Sequence, residues 1–199
     1  MSVTARPKIP RIDLASYRGG DPGDRRGAVA TGGDALREIG ALRLLGHGVP
    51  SEPEGAIAES GRGGALRRTG AEILRLLADY FGLPEKSFSR RMGEDGWVRA
   101  PANGRREDSA RPLLFLVPSP ESSGLEVEGP EGVRDLARAR SGELVAVPGP
   151  ALERLTGGVM PTVVLRPAEG GEGEDLFVLL AEPSRDLAPM EEFLDAQRK

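Results

Sequence analysis

The sequence contains one histidine, His47, and no cysteine. A single imidazole can act as a general base or supply one metal ligand, but a centre that needs two imidazoles cannot be built from one within a monomer. The absence of cysteine excludes disulfides, thiolate metal sites and a cysteine nucleophile. A Ser-His-acid triad would also depend on His47. Carboxylates and arginines then remain as candidates for acid–base or electrostatic help away from His47.

His47 lies in the segment Gly46-His47-Gly48-Val49-Pro50, directly after an apolar run over residues 41–45. The run predicts a buried strand, and the glycines and proline predict a tight turn at its end. One interpretation makes His47 a metal ligand or general base. The other makes it a turn residue whose ring bonds to backbone groups, and we favour this second interpretation.

Two polar segments have compositions that also occur in ligand-binding loops. Gly61-x-Gly63-Gly64 contains closely spaced glycines, but no strand precedes it and no Lys-Ser or Lys-Thr follows it, as a phosphate loop requires. Residues 169–175 are acidic and glycine-rich, yet they lack the ligand spacing of a calcium loop. We expect a plain connection at the first segment and a solvated hairpin at the second.

The first half of the chain predicts helices and two short strands. Its pattern indicates an edge strand over 9–14, the buried strand over 41–45, and helices over 21–39, 71–81 and 84–92. Segments 51–64 and 93–111 are polar and glycine-rich or charged, which predicts irregular connections.

The second half predicts short strands with no long helix between them. Gly, Pro or charged segments separate five apolar runs, at residues 113–117, 125–127, 143–147, 162–165 and 176–180. This pattern is typical of an antiparallel sandwich or barrel. A short helix is expected at 190–197.

Composition limits the possible partners and location. The 199 residues carry a formal net charge of -4, with 38% apolar and only 4% aromatic residues. An acidic chain of this kind is not expected to bind nucleic acid. No apolar run approaches the length of a membrane span, and the polar first residues do not resemble a signal peptide. We therefore expect a cytoplasmic protein with no membrane partner.

The order of several motifs resembles a known enzyme family. IPRIDL, LLGHGVP, EILRLLADYFGLPEKSF, GLEV and GELVAVPGPALERLTGG follow one another as similar pieces do in the isopenicillin N synthase-like members of the iron- and 2-oxoglutarate-dependent dioxygenase superfamily. The resemblance implies a mainly β fold with flanking helices, the double-stranded β-helix (jelly roll, cupin-like). Residues 1–92 would form a shortened N-terminal strand and helix region, and residues 93–199 the jelly-roll core and C-terminal helix.

The functional residues of that family are missing at the matching positions. In the family, a His-x-Asp motif and a distal histidine bind iron, and an Arg-x-Ser pair holds the keto-acid. Counting from GLEV places the first motif at Asp108-Ser109-Ala110, and counting from RLTGG places the distal histidine at Leu165. Counting back from Glu182-Pro183 places the Arg-x-Ser pair at Glu174 and Leu176. The resemblance thus implies no iron site and no cofactor.

The changed positions favour a catalytically degenerate, non-oxidative homologue, a pseudoenzyme of bacterial specialised metabolism. It would bind a small molecule or serve as a partner subunit. The alternative is a metal-independent isomerase, cyclase or lyase in which Asp108, Arg111, Arg166 or Glu174 gives acid–base or electrostatic help in the barrel pocket. An oxidoreductase with a non-standard iron site is a third, less favoured hypothesis.

The region between GHGVP and the 71–81 helix is short for the family, whose members usually carry a wall of the active-site mouth there. Loss of that wall would uncover an apolar face of the barrel. Because large exposed apolar faces are usually covered, we expect a homodimer or a heteromer with a full-length homologue.

Overall fold

The elements follow from short apolar segments separated by turns. A computed structural model describes residues 8–50, 55–101, 110–118, 125–130, 132–135, 142–167, 175–182 and 187–196. Within these residues the α-helices are α1 Leu14–Gly19, α2 Pro22–Asp34, α3 Gly55–Tyr80, α4 Pro150–Leu155 and α5 Glu191–Ala196. The strands are β1 Arg11–Asp13, β2 Leu42–Leu45, β3 Met92–Pro101, β4 Pro112–Pro118, β5 Leu125–Gly129, β6 Gly132–Asp135, β7 Leu144–Pro148, β8 Val164–Pro167 and β9 Asp175–Ala181.

The strands form two sheets. The large sheet has the order β1-β2-β7-β4-β9-β3, and the small sheet has the order β6-β5-β8. The pair β1–β2 is parallel, and every other pair in the described residues is antiparallel. This arrangement of two sheets with flanking helices confirms the jelly-roll fold class predicted from the sequence.

Each face of the large sheet has its own apolar core. On one face, Leu44, Leu116 and Leu179 pack with α3 residues such as Leu74 and Leu77. The alternate residues of the same strands point to the other face and pack against the small sheet, because side chains alternate along a strand. The large sheet therefore lies between a helical layer and the small sheet.

Helix α2 begins and ends on local signals. The carboxylate of Asp21 accepts hydrogen bonds from the backbone N–H groups of Gly23 and Asp24 at 2.6 and 2.9 Å, and Pro22 occupies the first turn. The helix continues as a π-helical turn, Ala35–Ile39, and stops at Gly40 with φ 80°. A side chain at Gly40 would also overlap Val163, so the position needs glycine for both conformation and space.

Most of the predicted elements are confirmed. The expected edge strand is β1 at one edge of the large sheet, the 41–45 strand is β2, and the 71–81 helix is the second half of α3. All five strands of the second half are present as β4, β5, β7, β8 and β9, and the terminal helix is α5.

Three predictions about irregular or helical segments are wrong. Residues 55–64 are the first turns of α3, because adding residues to an existing helix costs far less than starting one, even with several glycines. Residues 92–101 form β3, the edge strand next to β9; an edge strand needs only one hydrogen-bonded neighbour, so its polar sequence is tolerated. The helix predicted over 84–92 is absent: residues 85–88 form turns, Ser89–Arg91 form a 3-10 segment, and Met92 begins β3.

The two sequence regions 1–92 and 93–199 share one sheet. Strands β1 and β2 from the first region extend the large sheet beyond β7, and α3 packs on the face that β4 and β9 present. The N-terminal region is thus part of the same packed structure as the jelly roll. Among the described helices, none combines the length and the apolar character that a membrane crossing would need.

Candidate functional site

A candidate active site is expected in the space between the two sheets, because the family that the sequence resembles binds its iron inside the jelly roll. Among the described residues, this space contains a cluster of aliphatic side chains, which we call the inter-sheet cluster. It consists of Ile9, Ala41, Val117, Leu125, Val127, Val145, Val147, Val163 and Val178, with Phe115, Leu165 and Leu180 packed against it. The first nine are at most 8% exposed. These side chains form a buried apolar core between the sheets.

Leu165, at the position that the motif order assigns to the distal histidine, is partly buried and packs against this cluster. It lies on β8 directly opposite Val127 of β5, so the two side chains share the inner face of the small sheet. The apolar surroundings would favour a neutral, aliphatic group here and would penalise an unpaired polar one. The structure therefore places Leu165 where a hydrophobic residue stabilises the contact between the sheets.

Arg166 points to the opposite face of the small sheet. Its guanidinium lies 3.3 Å from the carboxylate of Glu126 and 3.2 Å from that of Glu128, and its side chain is 47% exposed. Exposed ion pairs of this kind contribute little to stability. Arg166 is thus directed away from the inter-sheet cluster.

Arg111 lies just before β4 and is half-buried. Its Nε and Nη2 donate hydrogen bonds to the carbonyl oxygen of Ala181 at 3.2 and 2.6 Å, while the Ala181 N–H donates to the Arg111 carbonyl at 2.9 Å. Arg111 thereby ties β4 to the end of β9. The structure does not bring Arg111 together with Arg166, and their role in acid–base chemistry stays a prediction.

Asp108 and Glu174, the two acidic candidates, lie outside the described residues, as does Ser109. Ala110 is described and is a partly buried turn residue. Leu176 lies in β9, in register with Ala100 of β3.

His47 makes the backbone contacts expected of a turn residue. Its Nδ1 accepts a hydrogen bond from the N–H of Val49 at 3.0 Å, and its Nε2 lies 3.0 Å from the carbonyl oxygen of Gly142. The carbonyl of His47 accepts a hydrogen bond from the Thr69 hydroxyl at 3.2 Å. Both ring nitrogens are therefore occupied by backbone groups, which confirms the structural interpretation of this residue.

The buried ion pair Arg43–Glu143 was not anticipated from the sequence. Arg43 donates from Nε and Nη2 to the two carboxylate oxygens of Glu143 at 2.7 and 2.8 Å, and their side chains are 12% and 1% exposed. Arg43 is in register with Val145, so it lies on the inner face of the large sheet. One sequence signal could have revealed this pair. Arg43 is a charged residue within the apolar strand Leu42–Leu45, and a buried charge requires a partner of opposite charge.

These residues do not suit the iron centre of the resembled family. That centre needs two imidazoles and a carboxylate on one face of the ion, whereas the single imidazole of this chain is bonded to backbone groups. Within the described residues, no group of three or more His, Asp or Glu side chains could hold a metal ion. The shortage of iron ligands among the described residues and the apolar packing between the sheets therefore lead to the same conclusion, that these residues do not suit such an iron centre.

Comparison with known proteins finds similarity of structure only. No protein-family model and no curated protein sequence matches this chain. A full-length Neurospora crassa protein in complex with alpha-KG has a TM-score of 0.69 at 12% identity, over 93% of this chain and 89% of that chain. A putative 2OG-Fe(II) oxygenase family protein from Caulobacter crescentus has a TM-score of 0.68 at 15% identity, over 93% and 90% of the two chains.

A third structure, the dioxygenase for auxin oxidation 1 from Arabidopsis thaliana in a binary complex with 2-oxoglutarate, has a TM-score of 0.59 at 14% identity, over 94% of this chain and 99% of that one. The matches extend over most of both chains and do not show the shortening that was expected for the N-terminal region. That shortening stays a prediction. They confirm at the level of fold what the motifs suggested. This chain has the jelly-roll fold of the 2OG-Fe(II) oxygenase structures.

Proposed function

We propose that this chain is a catalytically degenerate, non-oxidative homologue of the 2OG-Fe(II) oxygenases that acts by binding, as a partner subunit. The observation that carries the proposal is the environment of Leu165. An aliphatic residue that packs against the inter-sheet cluster stands at the position assigned to an iron ligand. The only imidazole of the chain is committed to the Gly46–Val49 turn and cannot replace it without breaking two backbone contacts.

The packed interior favours a partner protein over a small molecule bound between the sheets. A ligand there would have to displace side chains such as Val127, Val145 and Val178, which are fully buried in contact with one another. Opening such a core loses the packing and transfer energy of each displaced side chain, about 1 kcal/mol or more apiece. Binding through the surface requires no such opening. The role in bacterial specialised metabolism is part of the same proposal.

The partner can be tested by analytical ultracentrifugation at low micromolar concentration, with the chain alone and mixed with a full-length homologue encoded beside it. We expect a homodimer or a heteromer that buries at least ~1,000 Å² in total. Among the described residues, only Val164 and Leu194 are large apolar side chains with substantial exposure, at 54% and 39%. Val164→Lys and Leu194→Lys are therefore the first variants to examine at the interface. A monomer under both conditions contradicts the partner role.

Iron retention tests the non-oxidative part of the proposal separately. Protein loaded with ferrous iron under anaerobic conditions and then dialysed should lose the metal, because two imidazoles are not available at one place. Wild type and His47→Ala should retain the same, substoichiometric amount. Stoichiometric iron in the wild type that is lost in His47→Ala contradicts the proposal.

A further inference from the structure

Arg67, in the middle of α3, is a partly buried guanidinium without a counter-charge. Its Nη2 donates a hydrogen bond to the carbonyl oxygen of Gly93 at 3.1 Å. Within the residues that the structure describes, no carboxylate forms an ion pair with Arg67, and its buried Nε has no acceptor. A carbonyl oxygen accepts a hydrogen bond but does not neutralise the charge. Because a partly desolvated charge is costly unless an opposite charge approaches it, Arg67 is suited to an anion that the chain itself does not supply.

Arg68, the next residue of α3, is exposed and likewise forms no ion pair with any residue in the described part of the chain. Glu72 lies one turn further along the helix, but its carboxylate is bound by Arg18 at 3.1 Å. The side chain of Arg68 extends the other way, and its Nη1 lies 3.6 Å from the place where a Cβ of Gly64 would stand. Long side chains of a helix point toward the preceding turn, which explains this direction.

The packing of α3 does not explain the glycine at position 64. It does explain Gly70, where a Cβ would lie 2.4 Å from the side chain of Leu179. A Cβ at Gly64 would meet only the flexible end of Arg68, at an ordinary contact distance of 3.6 Å. Glycine weakens the interior of a helix relative to alanine, so Gly64 is unfavourable for α3 itself. Its effect is to leave the helix surface bare beside Arg67 and Arg68, three and four residues further on.

We propose that Gly64, Arg67 and Arg68 form a surface site for the phosphate group of a small molecule. Two guanidinium groups match the double charge that a phosphate monoester carries near neutral pH, and each can donate paired N–H groups to its oxygens. A phosphate above Gly64 accepts from Arg68 and from the Nη groups of Arg67, whose Nε is buried. Backbone amides within a helix are already bonded, so side chains recognise the anion here, unlike in a phosphate loop. The inference does not depend on the proposed partner function.

An NMR titration of the full chain with inorganic phosphate at about pH 7.5, where phosphate is mainly doubly charged, tests the proposal. The backbone amide of Gly64 and the side-chain Nε–H of Arg67 should shift and saturate together, with a dissociation constant in the millimolar range. Acetate, with one charge, should bind roughly tenfold more weakly at the same ionic strength. Shifts that do not saturate, or that sodium chloride reproduces, overturn the site. Acetate binding as tight as that of phosphate overturns the assignment to a phosphate group.

Charge-removing variants test the two arginines. Arg67→Gln and Arg68→Gln should each weaken phosphate binding roughly tenfold, because each removes one guanidinium and its charged hydrogen bonds. Arg154→Gln is the matched control, since Arg154 is an exposed arginine on the short helix α4. It should leave the dissociation constant unchanged. Equal affinity of the wild type, Arg67→Gln and Arg68→Gln contradicts the proposal, as does an equal loss in Arg154→Gln.

A substitution at Gly64 covers the case in which an arginine variant does not fold. Gly64→Leu introduces a strong helix former at a position where a Cβ fits, so the thermal unfolding temperature should stay equal or rise. The leucine side chain occupies the bare helix surface where the phosphate is placed, so saturable binding should be lost although both arginines remain. Phosphate affinity equal to that of the wild type in a folded Gly64→Leu protein overturns this placement of the site.

Discussion

At the scale of single residues, a substitution at Leu165 tests whether the apolar packing between the sheets tolerates an imidazole. Leu165→His would place an imidazole against aliphatic side chains such as Val127, without a hydrogen-bond partner among them. We expect the free energy of unfolding to fall by an amount in the lower part of the range of about 1–3 kcal/mol for an unsatisfied polar group in a core, because Leu165 is partly buried. Urea unfolding measures the change. Leu165→Met, which nearly conserves the volume, is the matched control and should lose less than about 1.5 kcal/mol; equal stability of the two variants contradicts the packing argument.

The Arg43–Glu143 pair leads to a second prediction at this scale. Arg43→Met removes both hydrogen bonds to a carboxylate that is 1% exposed, and Arg11 at 3.9 Å compensates only in part. We expect a loss of about 3 kcal/mol in the free energy of unfolding. Replacing both members, as Arg43→Met with Glu143→Leu, should restore most of that loss because no buried charge remains.

Arg166→Met provides the control for that experiment. Arg166 also bridges to glutamates, but its side chain is 47% exposed, so its removal should cost less than about 1 kcal/mol. If Arg43→Met and Arg166→Met destabilise the protein equally, burial does not determine the strength of the Arg43 pair.

The sequence predicted the role of His47 but could not predict that of Arg43. Glycines and a proline next to a histidine at the end of an apolar run constrain the backbone locally, and a local constraint can be read from neighbouring residues. Arg43 depends on Glu143, one hundred residues further along the chain. Only the pairing of β2 with β7 brings the two together, and that pairing is a property of the whole sheet.

At the scale of elements, two tyrosines join the helices of the N-terminal region. The Tyr17 hydroxyl of α1 donates to Asp79 of α3 at 3.1 Å, and the Tyr80 hydroxyl of α3 donates to Asp34 of α2 at 2.7 Å. Burial raises the pKa of Tyr17 to about 12, with the charge and hydrogen bond of Asp79 as further causes. Burial also raises the pKa of Tyr80 to about 12, followed by the hydrogen bond and charge of Asp34.

These raised pKa values predict how the helical layer responds to alkali. Both phenols have a folded-state pKa above the ordinary value of 10.0, so their stabilising effect is fully present below pH 10 and is lost as the pH rises toward 12. Each tyrosine should contribute up to roughly 2 kcal/mol, less for the more exposed Tyr80. Urea unfolding between pH 9 and 11.5 (approximate limits set by the ordinary phenol pKa) measures the fall.

Tyr17→Phe and Tyr80→Phe are the comparison variants. Each removes one titrating hydroxyl while keeping the ring, so each should show a shallower loss of stability with rising pH than the wild type. A parallel loss in the wild type and both variants would assign the alkaline instability to other groups.

The elements that sequence patterns missed have a common physical cause. The segments 55–64 and 92–101 contain weak local signals, yet they form the start of α3 and the edge strand β3. The first extends a helix already fixed by the apolar residues of 71–80, and the second hydrogen-bonds to the strongly apolar β9. Strand β6 is similarly supported by its hairpin with β5. A neighbouring helix or strand with a strongly apolar sequence can thus stabilise regular structure in a segment whose own sequence does not predict it.

At the scale of the whole molecule, the fold does not determine the function. The order of motifs was enough to predict the jelly roll because strand pattern and turns determine how the sheets assemble. The same fold can carry or lack a reaction, depending on a few side chains inside it. In this chain the described residues between the sheets include a cluster of aliphatic side chains, and Leu165, at the position that the motif order assigns to a metal ligand, packs against it.

We expect that this jelly roll does not form an iron–2-oxoglutarate centre, which can be tested by an anaerobic titration of the wild-type protein with ferrous iron and 2-oxoglutarate. Leu165 and the occupied ring of His47 leave too few ligands for the ion, so the visible spectrum should show no metal-to-ligand charge-transfer band at any ratio of iron to protein. A saturable band that reaches its maximum at one iron per chain, and that requires 2-oxoglutarate, would contradict the account.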